Sequence, residues 1–188
     1  MGLPDFSYFK RADRDTQARL LELLFEQSSS LELITVDDPH FVNDIGSDYT
    51  TLVETVRSKL MGLCSRGQDP DTRHHLSDII AAHPKLGQPK QNLSAHSAME
   101  QRNLGSSDST ETLEVLQALN NSYEEKYPGL RFVVFVNGRP RSEIIEVMQR
   151  RINSGNSWLH EAQLACNEMC NIALDRVKKD SSAKPHKL

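Results

Sequence analysis

The sequence predicts an all-α, single-domain helical bundle with one short extended segment near residues 131–136. Three observations predict it. Apolar residues recur every three or four positions through several long runs. Capping residues precede those runs, and Pro or Gly follows them. Only one stretch, "RFVVFV" (131–136), is rich in β-branched and aromatic residues.

In chain order, "DRDTQARLLELLFEQSS" puts Ala18, Leu21, Leu24 and Phe25 on one stripe, with Asp13 or Asp15 as its cap. Residues 29–47 read as irregular, with Pro39 and Gly46 inside them. A helix from about Asp48 to Cys64 turns Leu52, Val53, Val56, Leu60 and Leu63 inward, and "SRGQDPDT" is a turn-rich link. The next helix starts at Asp71 or Thr72 and stops near His83, because Pro84 lacks an N–H and restricts the residue before it. Ser94 is a good N-cap for "AHSAMEQRNL". "TETLEVLQALNNSYEEKY" then places Leu113, Leu116, Leu119 and Tyr123 on one face and ends at Pro128-Gly129.

Asn137-Gly138 is hairpin chemistry, yet "SEIIEVMQRRI" returns at once to helical period. Residues 132–136 are therefore expected to cross the helical core alone. A last helix from about Asn156 to Lys179 carries Leu159, Ala162, Ala165, Cys166, Met169, Ile172, Ala173 and Val177. The expected organisation is one domain over 1–180 and a flexible tail over 181–188.

The chain has 188 residues and a formal charge of −4, with 37% hydrophobic and 26% charged residues. That suits one soluble domain and gives no support to nucleic-acid binding, which needs a concentrated basic face. No apolar run is long enough to span a membrane. The N-terminus lacks the apolar core of a secretory signal. Cys64, Cys166 and Cys170 cannot all pair within one chain, so buried, reduced thiols are expected. No metal site is expected. Adjacent His74 and His75 point in different directions on a helix, and Cys166 and Cys170 have no companion pair at a zinc spacing.

Three features could carry chemistry. His83 stands at a helix C-terminus, where it is either a cap or an acid/base. Glu100-Gln101 lies on a short helix flanked by loops, where a solvated face is the plain alternative. Arg176 lies late in the last helix beside apolar neighbours, where it could simply pair with a carboxylate.

Together, "HPKLG", "SAMEQ", "LNNSYEEKYPGLRFVVFV" and "EMCNIALDR" resemble the OHCU decarboxylase family, the 2-oxo-4-hydroxy-4-carboxy-5-ureidoimidazoline decarboxylases of urate degradation. The resemblance runs from about "LLFEQSSSL" to Arg176 and rests on the order and spacing of the motifs. It implies an all-helical, usually homodimeric enzyme with no metal or organic cofactor, releasing CO2 to give (S)-allantoin. It also implies that His83 is the catalytic proton donor, with Glu100 and Arg176 beside it. Substrate contacts are implied at Pro84, Ser97 and Gln101, and along Phe132, Val133, Val134, Phe135 and Val136. "EQRNLGSS", with Gly105 displaced, and "LG" after Lys85 depart from the family pattern and mark a divergent branch.

The chemistry suits these residue types. The substrate carries its carboxylate beside a C=N bond that accepts the released electrons, so no cofactor is needed as an electron sink. Histidine titrates near the operating pH, and the Arg fork holds a carboxylate or carbonyl oxygen. Glu100 is expected to bond the hydroxyl or ureido groups. The backbone of 132–136, if unpaired in a sheet, would offer N–H and C=O groups to a ring of amide-like edges. Two alternatives are an inactive interaction module of the same fold, or a lyase or hydrolase acting on another small ureide. The closing His186-Lys187-Leu188 is close to the peroxisomal Ser-Lys-Leu address, so the expected location is peroxisomal or cytoplasmic.

Overall fold

A computed structural model describes residues 2–87 and 108–183. Ser94, Ser97, Glu100 and Gln101, and the tail residues 184–188, lie outside the described residues. Nine helices occur among the described residues. They are α1 Phe6–Arg11, α2 Arg14–Leu24, α3 Ser29–Ile34, α4 Phe41–Asp44, α5 Tyr49–Ser65, α6 Pro70–Ala81, α7 Thr110–Lys126, α8 Arg141–Asn153 and α9 Trp158–Ala183.

Each start has a local cause. Asp13, Ser28, Asp48, Asp69 and Ser109 each accept a backbone N–H of the first turn of the helix that follows. At α5, Thr51 reciprocates toward the Asp48 N–H and completes a capping box. For α6 the cap is Asp69 with Pro70 at the first helical position, one turn-half earlier than the expected Asp71 or Thr72.

The core forms around α9. Its largest interface is with α5, and it also meets α2 and α6. Ala162, Ala165, Cys166 and Ala173 on α9 are fully buried, as are Leu52, Val53, Val56 and Leu60 on α5. The small α9 residues let α5 approach closely. Arg57 ties the two helices at their edge, donating to the Asn167 side chain at 3.0 Å and to Asn171 at 3.2 Å. The three thiols are free and buried, as expected, and burial pushes Cys170 up to about 12.

Several expectations are corrected. Residues 29–47 are not wholly irregular: they form α3 and α4, and α3 packs on α6. Ser28 nucleates α3, and Phe41 anchors α4 with a fully buried ring. α1 was not anticipated; its Phe9 is fully buried and meets Tyr49 edge-on. Leu113 is exposed instead of inward, while Leu116 and Tyr123 are fully buried. α9 continues to Ala183, three residues into the expected tail.

Among the described residues there is no strand, so residues 131–136 do run as a lone extended segment. Phe132, Val133 and Val134 are buried. Asn137 (φ +47) and Gly138 (φ +71) turn the chain, and the Arg139 N–H closes the turn on the Val136 carbonyl at 3.0 Å. Hairpin chemistry is thus used to enter a helix.

Gly129 ends the α7 exit turn at φ +85, and a Cβ there would stand 2.7 Å from Ser77 Oγ. Gly129→Ala is expected to cost about 1–2 kcal/mol, because left-handed backbone disfavours a Cβ. A fall of roughly 2–8 °C in the thermal midpoint is the expected result for a domain of this size.

Candidate active site

His83 sits just past the C-terminus of α6 and is 4% exposed. Its N–H still reaches the Ile80 carbonyl at 3.3 Å, so the last turn of α6 extends to it before Pro84 diverts the chain. α6 itself is fixed by Asp78, which accepts from Ser28 Oγ at 2.8 Å and from the Ser30 N–H at 3.2 Å. Burial works to raise the Asp78 carboxyl, but these hydrogen bonds prevail and hold it below its usual range. His75 Nδ1 pairs with Ser30 Oγ at 2.9 Å, a structural partner on α3.

The chain after His83 is held from α7. Asn120, almost fully buried, donates to the Leu86 carbonyl at 3.0 Å. Glu124, one turn later, holds Lys85 at 2.8 Å. Gly87 takes φ +76 against Leu116 and Leu113. Arg131, at the head of the extended segment, donates through Nη1 to the carbonyls of both Ala81 and His83. Its Nε lies 3.8 Å from Glu124 Oε1. Burial lowers the Arg131 guanidinium, and the Glu124 charge acts in the opposite sense.

Arg176 is also buried, at 2% exposure. Nη1 donates to the Leu24 carbonyl at 3.1 Å, and both terminal nitrogens lie 3.4 Å from Glu26 Oε1. Both partners are at the end of α2. A buried guanidinium needs this company. α6, just past whose end His83 stands, and α9, which bears Arg176, pack together.

The extended segment is fastened by side chains. Arg151 Nη1 donates to the Val133 carbonyl at 2.8 Å. The Phe135 N–H donates to Glu168 Oε2, and the Phe135 carbonyl accepts from Arg139, each at 2.5 Å. The Phe132 ring meets Tyr123 edge-on at 5.5 Å and lies 4.7 Å from the Arg151 guanidinium, so its side chain belongs to the core. The N–H and C=O of Val134 and the N–H of Val136 have no hydrogen-bond partner among the described residues. Buried backbone polar groups are rarely left in that state.

Arg151 in turn belongs to a buried cluster. Its Nε donates to Glu161 Oε2 at 2.8 Å, Tyr123 Oη donates to the same oxygen at 2.7 Å, and Asn156 Nδ2 donates to Oε1 at 2.8 Å. Burial acts to raise the Glu161 carboxyl but is outweighed by the Arg151 and Asn156 hydrogen bonds, so it is held below its usual range. Burial drives the Tyr123 hydroxyl upward, so it stays a neutral donor.

His83, Pro84 and the extended segment are thus joined in one corner through Arg131. Arg176 comes from a neighbouring packed helix. Glu26, Asn120, Glu124, Arg131, Arg151 and Glu168 were not singled out from sequence. The clearest signal was "NNSYEEKY", where Asn120, Tyr123 and Glu124 share a helix face by their i, i+3, i+4 spacing. Among the described residues no group of three or more His, Cys, Asp and Glu could hold a metal ion, and no helix is long and apolar enough to cross a membrane.

The sequence profile of the OHCU decarboxylase family matches residues 10–178. A 2-oxo-4-hydroxy-4-carboxy-5-ureidoimidazoline decarboxylase of Haloferax volcanii is 27% identical over 173 residues, covering 86% of this chain and 98% of that protein. Two solved structures share the fold. A crystal structure of an OHCU decarboxylase in the presence of (S)-allantoin superposes with a TM-score of 0.52 at 21% identity, over 77% of this chain and 93% of that one. A crystal structure of (S)-allantoin synthase superposes with a TM-score of 0.61 at 16% identity over 94% of this chain, which spans 54% of that longer one.

Proposed function

Because the chain belongs to the OHCU decarboxylase family, we propose that it releases CO2 from 2-oxo-4-hydroxy-4-carboxy-5-ureidoimidazoline to give (S)-allantoin. The observation that carries this reading within the structure is the buried His83, set at a helix end and tied through Arg131 to an extended backbone whose Val134 and Val136 N–H groups have no hydrogen-bond partner among the described residues. That pairs a proton-transfer group with a ring-sized set of donors and acceptors.

The reaction needs little beyond orientation and one proton relay. The bond from the ring carbon to the carboxylate breaks. Its electron pair forms a C=C bond in the ring, and the adjacent C=N pair moves to nitrogen, which takes a proton. The hydroxyl then loses its proton as the enol collapses to a carbonyl, and the neighbouring carbon takes a proton on one face. One proton is consumed overall. We assign the hydroxyl and carbon proton transfers to His83 and the grip on a carboxylate or carbonyl oxygen to Arg176. Glu100, Gln101 and Ser97 supply further hydrogen bonds, Pro84 shapes the floor, and the backbone at Val134 and Val136 meets the amide-like edges of the ring. Water exclusion strengthens each of these contacts.

Fresh substrate, generated from urate with urate oxidase and hydroxyisourate hydrolase, provides the test. With this protein present, the circular dichroism of allantoin is expected to build and persist, whereas spontaneous decay gives a racemate and no lasting signal. Folded protein that yields only racemate would sink the assignment in favour of an interaction module. We further propose a homodimer, which sedimentation at micromolar concentration would decide.

A further inference from the structure

We propose that Arg131 is a positioning residue for His83, one that sets where the imidazole stands without touching substrate. The inference rests on His83 carrying the proton transfer described above.

Arg131 is the sole residue among those described whose side chain bonds the His83 backbone and also begins the extended segment. Its Nη1 donates to the carbonyls of Ala81 and His83. Those carbonyls belong to the end of α6, where the helix leaves its last acceptors without intrahelical donors. A cation there also meets the negative end of the α6 dipole. Without it, the turn bearing His83 would have two part-buried acceptors to satisfy elsewhere.

The guanidinium is itself placed. Its side chain is 16% exposed, and Glu124 Oε1 lies 3.8 Å from Nε. The other Glu124 oxygen holds Lys85, two residues beyond His83. Asn120 holds Leu86 from the same face of α7. The His-Pro turn is therefore clasped at Ala81, His83, Lys85 and Leu86 by three side chains, and Arg131 alone among them reaches the His83 residue itself. It is also covalently continuous with Phe132–Val136. A movement of Arg131 changes the distance between the proton-transfer group and the backbone edge opposite it. Misplacement of a reacting group by about 1 Å can cost on the order of 10²-fold in rate.

Arg131→Lys tests this without removing the charge. Both bonds leave one nitrogen, so Lys keeps enough donors for the two carbonyls but carries them on a flexible stem that lacks the rigid, planar placement of the guanidinium. The expected result is a kcat about tenfold lower, a KM within about twofold and a thermal midpoint within a few degrees of wild type. Arg131→Met is expected to lower kcat further, so that Lys restores part of what Met loses. If Met fails to fold, the Lys variant decides alone. A Lys variant with wild-type kcat overturns the proposal, as does a parallel fall of kcat, rise of KM and loss of thermal stability. Wild-type protein without activity would instead remove the decarboxylase reading itself, so the two failures are distinguishable.

Discussion

His83→Ala is expected to lower kcat for stereospecific allantoin formation by about 10²–10⁴-fold, the usual range for a positioned proton-transfer group. The substrate carries its own electron sink, so orientation and charge stabilisation remain in the variant, and decarboxylation does not vanish altogether. What disappears first is control of the proton. Optical activity per CO2 released is therefore expected to fall more steeply than CO2 release itself. His83 is 4% exposed, and its backbone, not its ring, carries the Arg131 bond. Truncation consequently leaves the Arg131 clasp in place. His83→Asn, which refills part of the space, separates a packing loss from a chemical one. The decisive measurement is circular dichroism alongside released CO2 for the two variants and wild type. If a folded variant keeps activity within about threefold, the proton work belongs elsewhere, with Glu100 the next candidate.

How far this site was legible depends on the kind of interaction. Periodicity found the long helices because burial imposes a repeat on the sequence. Leu52, Val53, Val56 and Leu60 are fully buried as their spacing requires. The ends of the long helices were legible to within a residue or two where Asp or Ser capped them, whereas the six-residue α3 was passed over despite its Ser28 cap. Short α1 and α4 have too few turns to produce a period. They are fixed instead by single anchors, Phe9 and Phe41, that fill the core from outside the long helices. Leu113 shows the converse, an apolar residue that fits the stripe yet stays in water.

The same division holds for chemistry. The place of His83 at a helix end was legible because Pro84 announces that end, and its proposed role comes from the family resemblance. Its supports were not legible. Arg131 lies 48 residues from His83, Asn120 lies 34 from Leu86, and Arg176 lies 150 from Glu26. Such pairs leave no local pattern, since a charged residue at a helix surface has the same sequence signature whether it meets water or a buried carbonyl. The extended segment was the intermediate case. Its sequence announced a strand, and the absence of a neighbouring strand-like run announced that it would lack a sheet. Which of its groups would be taken by Arg151, Glu168 and Arg139 depended on tertiary geometry.

The largest stability effect is expected at Glu161. Its side chain is fully buried, and it receives Tyr123, Arg151 and Asn156. Glu161→Gln keeps the shape but replaces one acceptor oxygen by a donor NH2 group. Unless the Asn156 amide turns its oxygen toward the new NH2 group, an incoming donor then faces another donor, and in either case Arg151, whose side chain is 11% exposed, loses its counter-charge. Breaking a buried pair from one side costs about 3–5 kcal/mol, because the remaining charge is stranded. Spread over a domain of this size, the expected fall in thermal midpoint is roughly 6–20 °C. Removing both charges relieves that stranding, so Glu161→Gln combined with Arg151→Met is expected to be less destabilised than the sum of the single variants, by about 0.5–3 kcal/mol. The pH dependence has a definite sign. The folded carboxyl is held below its ordinary value of 4.5, so its contribution is fully present above about that pH and is lost as pH falls through the lower folded value. Wild type should lose stability over that acid range, and Glu161→Gln should lose less, since it has no proton to take up there. Thermal melts at pH 7 and through the acid range measure both effects. Strict additivity of the two single variants, or identical acid slopes for wild type and Glu161→Gln, would show that this cluster does not act as a linked unit. The consequence extends to catalysis, since the same Arg151 holds the Val133 carbonyl. A protein that survives Glu161→Gln at low temperature is therefore expected to show a lowered kcat as well, because the extended backbone that we propose meets the substrate has lost one of its fastenings.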